Sequence, residues 1–499
     1  MNLGSKDSTH SNSGPFFSNA DSSRRFFLHK LACLPLIGTV GCTSRHTDSE
    51  TSQSANTPSF PAQFKGSKSF RGSPKHLEES QVYNPRIQLN PQVIAHVSST
   101  EDVVTLVKFT KEQKRNLRIR CGGHSYEGYS MGEDIVLDLK NLNQITFHPE
   151  RNTVTVGAGC RQGDIYNALI PLGQTMVMGT CKSVGIGGFS LGGGYSMLSR
   201  QHGMAVDNLI SANIVDAQGR PLHLSESSNR DLFWAIRGAG TGQFGVVTQF
   251  EFKTHPAKPQ CVFKYTWNLS AATQVVPIWF EFVKQSPDHL TWLMTLTSFN
   301  VMTVSGQMEG TDANFRSLIQ KLGNWPIKPT KEEINAFTYK QAVDFFAGKD
   351  TSARPARFRA HAGYWEKPPS LDALTTLLAL VEKAKQFDSM FCMFDSYGGA
   401  INRVGRQDTA FVHRSPMLSS MQTRVDWKDP AKDDDSIQYI KEFNETMAPF
   451  LSKESYQNYM DATRLHWEES FYAENLPKLR AIKKQFDPDS FFKFERSIS

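Results

Sequence analysis

The chain has 499 residues, 39% hydrophobic and 21% charged, the balance of a globular protein large enough for two cores and not of a fibrous or wholly disordered one. A formal net charge of +6 is small for this length and no dense Lys/Arg run occurs, so nucleic acid is not an expected partner. Seven cysteines with no CxxC spacing, and no HExxH, argue against a disulfide scaffold and against a metal site; no metal is expected.

In chain order, residues 1–42 read as an export leader. Ser23-Arg24-Arg25-Phe26-Phe27-Leu28 precedes an apolar stretch at 31–40, the pattern of a twin-arginine signal, which implies a periplasmic or other extracytoplasmic destination. Thr39-Val40-Gly41-Cys42 is similar to a lipoprotein cleavage site with threonine in the usual leucine position, so lipid anchoring at Cys42 and cleavage nearby without a lipid both stay open. The apolar stretch is too short, and too interrupted by Pro35, for a membrane span. Residues 43–76, rich in Ser, Thr, Gln and Asn, are expected to form a flexible tether, with folding starting near Leu77.

Residues 77–256 alternate helix and strand signals. A helix is expected over 100–113 behind a Ser-Ser-Thr cap, strands over 134–139 and 153–157, and a helix over 164–172. A hairpin pairs 209–215 with 221–224 around Ala217-Gln218-Gly219, and 244–252 alternates as a further strand. Between these elements lie two glycine-rich loops, GGHSYEGYS with His124 and GTCKSVGIGGFSLGGGYS with Cys181. Glycines let successive N–H groups close on an anion, so Gly122, Gly123, Gly185, Gly187, Gly188, Gly192, Gly193 and Gly194 are candidates for cradling a pyrophosphate. Glycine runs also make plain turns, but an imidazole in one loop and a thiol in the other are the nucleophiles that tether a redox cofactor, and together they point to a covalently held flavin. Cys121, Cys160, Cys261 and Cys392 are expected to be packing residues. The run 237–242, Arg-Gly-Ala-Gly-Thr-Gly, either contacts the cofactor or makes a tight connection.

Residues 257–450 turn to longer aromatic-rich elements, including 262–269, 290–297 and 371–387, and are assigned to a substrate-binding domain. Within it, Asp395, Tyr397 and Asn402 surround Gly398-Gly399, while 409–414 is expected to pack. Residues 451–499 carry Tyr456-Gln457-Asn458-Tyr459-Met460-Asp461 and close with Asp487-Pro488-Asp489 and three phenylalanines that dock on the first domain.

Four ordered stretches carry a family resemblance: RIRCGGHSYEGYS at 118–130, GTCKSVGIGGFSLGGGYSMLSRQHGMAVDNL at 179–209, DLFWAIRGAGTGQFGVVTQFEF at 231–252, and YQNYMD with FDPDSFFKFERSI near the end. The chain resembles the berberine-bridge-enzyme-like FAD-linked oxidoreductases, within the vanillyl-alcohol-oxidase type of FAD-binding fold. The resemblance implies an α+β protein: a two-part FAD-binding domain with an α+β substrate domain, an antiparallel sheet backed by helices. It implies FAD bonded at its 8α-methyl carbon to His124 and at C6 to Cys181, with Ser125 and Asn458 beside it. Relatives often have histidine where this chain has Phe189, which offers no hydrogen bond.

The implied reaction is oxidation of an alcohol or sugar hemiacetal, with reduced flavin discharged to oxygen. Its base is one of Tyr456 and Tyr459, with Asp395 as helper; Tyr126, Tyr129 and Tyr195 line the pocket or stack on the cofactor. Three alternatives stand beside it: a dehydrogenase using a quinone or protein acceptor, C–N oxidation of an alkaloid-like substrate, and a flavin-binding protein without catalysis.

Overall fold

Three larger sheets, a two-stranded ribbon pairing Gln174–Thr175 with His255–Pro256, and the helices packed on them position two glycine loops against one face of a large antiparallel sheet. The computed structural model describes residues 58–348 and 356–499; the Arg24-Arg25 pair, Cys42 and residues 43–57 of the expected tether lie outside the described residues. Pro61–Ser499 forms one compact unit.

Among the described residues the folded body starts ahead of Leu77, which corrects the expected start of folding there. Ser67–Phe70 is a strand antiparallel to Val93–His96. Its entry is fixed by the Asp102 carboxylate, which accepts the Lys65 and Gly66 amides at 2.7 and 3.2 Å. Phe64 is buried, and Pro74–Glu79 is helical behind a Ser73 cap. The polar composition hid this because an edge strand is held by backbone partners and one buried ring, not by an apolar run.

Ser67–Phe70, Val93–His96, Ile135–Asp138 and Leu117–Arg120 lie in that spatial order, the last three parallel. The second sheet orders Ile145–His148, Thr153–Gly157, Val246–Lys253, Leu209–Val215 and Pro221–Ser225. The expected helix is Thr100–Glu112, capped by Ser99 Oγ accepting the Asp102 amide at 3.2 Å. The next begins two residues early, at Gln162, and after Leu169 tightens to a 3-10 turn over Ile170–Leu172, where Pro171 cannot donate to the helical ladder.

From Gln260 every strand joins a seven-stranded sheet, ordered Lys331–Phe337, Gln260–Asn268, Val301–Glu309, Leu290–Thr297, Ser389–Ser396, Ser419–Trp427 and Arg357–Trp365. All its neighbours are antiparallel. Strand alternation sorts its faces. Met421, Val425 and Trp427 enter a core with Trp279, Leu377 and Phe443 from the helices Ala272–Gln285, Leu371–Lys383 and Asp433–Met447. Ser420, Gln422, Arg424 and Asp426 take the opposite face, and Gln422 Nε2 crosses to the Tyr126 hydroxyl in the histidine loop at 2.7 Å. The antiparallel sheet backed by helices is as expected.

Candidate functional site

The two loops meet backbone to backbone. A Cβ on Gly122 would stand 2.4 Å from the Gly185 nitrogen, and one on Gly185 would stand 2.2 Å from Cys121 Sγ. Only glycine permits that approach, so the loop after Leu117–Arg120 and the loop that opens the helix Ile186–Leu191 are locked together. Gly187 approaches the Ala158 carbonyl, whereas a Cβ on Gly188 would have only Thr241 Oγ1 near it, at 3.5 Å. Around this seam Tyr129 OH, Ser130 Oγ, Gln162 Oε1 and Ser190 Oγ are buried with no hydrogen-bond partner among the described residues. Other unpartnered buried atoms are scattered among the described residues, but these four gather beside the glycine seam, where folded proteins usually pair such groups, and so fit a polar, phosphate-bearing group such as FAD.

Other predicted glycines serve protein contacts. A Cβ on Gly192 would overlap Asn458 Oδ1, and Gly193, at φ +121°, lies against the Phe411 ring. The Gly194 amide donates to the Tyr456 hydroxyl at 2.9 Å. This run is the joint between the cysteine loop and the C-terminal segment. Gly123 has φ +69°, and Ser125 Oγ accepts the Tyr129 amide at 3.0 Å, closing the histidine loop.

The two candidate tyrosines separate clearly. Tyr456 is buried, and its hydroxyl accepts Gly194 N, Tyr195 N at 3.2 Å and Asn458 Nδ2 at 2.9 Å. Burial pushes it up to about 12 against those donors. Asn458 Nδ2 also donates to the Phe189 carbonyl at 2.9 Å, so the asparagine ties both ends of the joint. Tyr459 is half-buried, its ring parallel to Tyr126 at 5.8 Å and edge-on to Tyr456 at 5.0 Å. Its hydroxyl makes no hydrogen bond to another described residue. Burial raises it well above the ordinary tyrosine value, and the Asp395 charge adds to the rise.

Asp395 is buried with one hydrogen-bond partner, Ser420 Oγ at 2.8 Å, and burial pushes its carboxyl up to about 7. Beneath it the Tyr397 and Tyr364 hydroxyls meet at 3.2 Å, and Tyr195 stacks on Tyr397 at 5.8 Å. Asn402 Nδ2 is committed to the Met417 carbonyl at 2.8 Å. Within 409–414, Arg414 is fully buried and forks onto Asp207 at 2.7 and 2.6 Å, a packing role as expected. Cys160, Cys261 and Cys392 are buried, and Cys121 Sγ donates to the Ala158 carbonyl at 2.9 Å.

His124 is half-buried and stacks on Tyr83, ring centroids 4.0 Å apart. Burial, then the charges of Arg161 and Arg424, lower it to about 4, so its imidazole is neutral near pH 7. Cys181 is exposed in the second loop. The positive charge of Arg424 acts on His124, Cys181, Tyr83 and Tyr126 together. Tyr83, Gln422 and Arg424 were not singled out from the sequence. The alternation Ser420, Gln422, Arg424, Asp426 is a visible signal of a polar strand face, although not of what that face meets.

Residues 91–225 match the model of an FAD binding domain, and 455–499 match the model described as "Berberine and berberine like". An uncharacterised FAD-linked oxidoreductase of Bacillus subtilis, YvdP, is 30% identical over 87% of this chain and 98% of its own. The chitooligosaccharide oxidase of Gibberella zeae is 28% identical over 94% of this chain and 98% of its own. Berberine bridge enzyme-like 4 of Arabidopsis thaliana is 30% identical over 81% of this chain and 83% of its own. Among solved structures, Physcomitrella patens BBE-like 1 superposes with a TM-score of 0.83 at 27% identity, covering 88% of this chain and 98% of that one. Xylooligosaccharide oxidase from Myceliophthora thermophila C1, in complex with xylobiose, gives 0.80 at 26% identity, covering 87% and 97%.

Proposed function

Because the chain belongs to the berberine bridge enzyme-like FAD-linked oxidoreductases, we propose that it oxidises a carbohydrate at an alcohol or hemiacetal carbon, with oxygen as final electron acceptor. When bound, FAD supplies the two-electron acceptor for the hydride that leaves the substrate carbon. Two relatives carry oligosaccharide oxidase names, and the parallel rings of Tyr126 and Tyr459 offer flat faces on which a sugar can stack.

Tyr459 is the base, and the observation that carries this is the contrast with Tyr456, whose hydroxyl is filled by three donors while that of Tyr459 is uncommitted. Tyr459 receives the substrate O–H proton. Asp395 sets its readiness: with its carboxyl pushed up to about 7, protonation near neutral pH removes the largest charge opposing a Tyr459 phenolate. His124 and Cys181 are the two covalent tethers of FAD. Arg24 and Arg25 direct export to the periplasm or another extracytoplasmic site, where Cys42 is open to lipid attachment.

The test is anaerobic bleaching of the flavin by a panel of xylo- and chitooligosaccharides, simple alcohols and amines. Bleaching by oligosaccharides supports the reading, bleaching by amines alone turns it to C–N oxidation, and no bleaching leaves a flavin carrier. Oxygen uptake against reduction of an artificial acceptor then separates an oxidase from a dehydrogenase.

A further inference from the structure

Tyr83 takes no part in the chemistry above, yet it is fastened to the histidine loop twice. Its amide donates to the Gly123 carbonyl at 3.0 Å, and its ring lies on the His124 imidazole, centroids 4.0 Å apart and planes 22° from parallel. Asn84 extends the bracket: Nδ2 donates to the Tyr126 carbonyl at 2.9 Å and to the Phe358 carbonyl at 3.0 Å. Phe358, on the edge strand of the large sheet, stands edge-on to Tyr83 at 5.8 Å and to Tyr126 at 5.0 Å. Arg424 closes the assembly. Its guanidinium lies 4.0 Å over the Phe358 ring, its Nε and Nη2 both reach Asp426 Oδ1, at 2.7 and 2.6 Å, and its positive charge acts on the Tyr83 hydroxyl.

We propose that Tyr83 is a positioning residue for the covalent link at His124, braced from behind by the Phe358 ring over which Arg424 lies; this rests on the reading of His124 as a tether. A histidine on a loop can swing about its side-chain torsions, whereas bond formation needs a ring nitrogen aimed along one line at the methyl carbon. A ring stacked at 4.0 Å removes that freedom. Burial, then the charges of Arg161 and Arg424, keep the imidazole neutral, the nucleophilic form. Joining imidazole to methyl replaces one N–H and one C–H bond by a C–N bond, so two protons and two electrons leave; oxidised FAD accepts the electrons, and oxygen restores it. Cys181 lies on the other loop and takes no hydrogen bond from Tyr83 among the described residues, so its link does not need the stack.

The experiment compares covalent flavin on the full-length purified protein in two backgrounds, scored by the share of chains retaining flavin after acid denaturation against total flavin before it. In Cys181→Ala, where only His124 can hold flavin, adding Tyr83→Leu lowers the retained share at least about fivefold while total flavin is kept. Tyr83→Phe, which preserves the stack, restores most of it. In His124→Ala, where only Cys181 can hold flavin, Tyr83→Leu changes nothing. Tyr83→Met replaces Tyr83→Leu if the latter does not fold. An unchanged retained share in Cys181→Ala with Tyr83→Leu overturns the positioning role, as does an equal loss in both backgrounds. Cys181→Ala alone without covalent flavin overturns the His124 reading itself.

Discussion

The Tyr456 hydroxyl accepts the Gly194 amide at 2.9 Å, joining residues 262 apart in the chain. That bond turns the glycine run of the cysteine loop into the seat of the C-terminal segment and leaves Tyr459, three residues on, as the one of the two candidate tyrosines with an uncommitted hydroxyl.

The two tyrosines should therefore fail differently. Tyr459→Phe is expected to slow anaerobic flavin reduction by on the order of 100-fold or more with little change in thermal midpoint. Tyr456→Phe strands two buried backbone amides and frees the half-buried Asn458 amide, and should cost about 1–3 kcal/mol of stability, with the smaller effect on reduction rate. Stopped-flow bleaching and thermal melts of both variants check this; a fully active Tyr459→Phe removes it as the base.

Asp395 should mark the pH dependence of stability. Its folded value, about 7, lies above the ordinary carboxylate value of 3.8, so between those pH values the native state holds a proton that the unfolded chain has released. Stability contributed by the neutral carboxyl is complete below about pH 4 and falls as pH rises to about 7, by on the order of 4 kcal/mol. Asp395→Asn should flatten that part of the curve, measured as thermal midpoint from pH 4 to 8. A variant that follows the wild-type curve would remove Asp395 as its source.

At the seam, Gly185→Ala forces a methyl onto Cys121 Sγ and the Gly122 nitrogen and should disturb folding and flavin content together. Gly188→Ala meets only Thr241 Oγ1, at 3.5 Å, so the protein has room for the methyl and a bound phosphate would not. The expected result is native secondary structure by circular dichroism with flavin-to-protein absorbance lowered at least about threefold. Unchanged flavin content would place the pyrophosphate elsewhere.

The chain end is clamped by Lys483, whose Nζ donates to Gln243 O at 2.6 Å, Phe492 O at 2.7 Å and Asp487 Oδ2 at 2.7 Å, all buried. Lys483→Met leaves the Asp487 carboxylate unpaired and should cost about 3–5 kcal/mol. Urea unfolding of variant and wild type measures it, and a loss below about 1 kcal/mol would make the clamp dispensable.

Much of this was legible because the signals are local. Loop glycines, the placing of His124 and Cys181 in those loops, the Ser99 cap and the two-residue alternation of 244–252 are each set by a few neighbouring residues. Tyr83, Gln422 and Arg424 were not, because their meaning depends on one face of the seven-stranded sheet meeting the histidine loop across some 300 residues, as Gln422 to Tyr126 shows at a separation of 296. The choice between Tyr456 and Tyr459 likewise needed to know which hydroxyl Gly194 had already claimed.

The most direct measurement is the mass of the acid-denatured protein and its tryptic peptides. FAD on both the His124 and the Cys181 peptides is the expected result. Unmodified peptides at both positions, with no flavin released from the native protein, would contradict it and return the glycine loops to the role of turns.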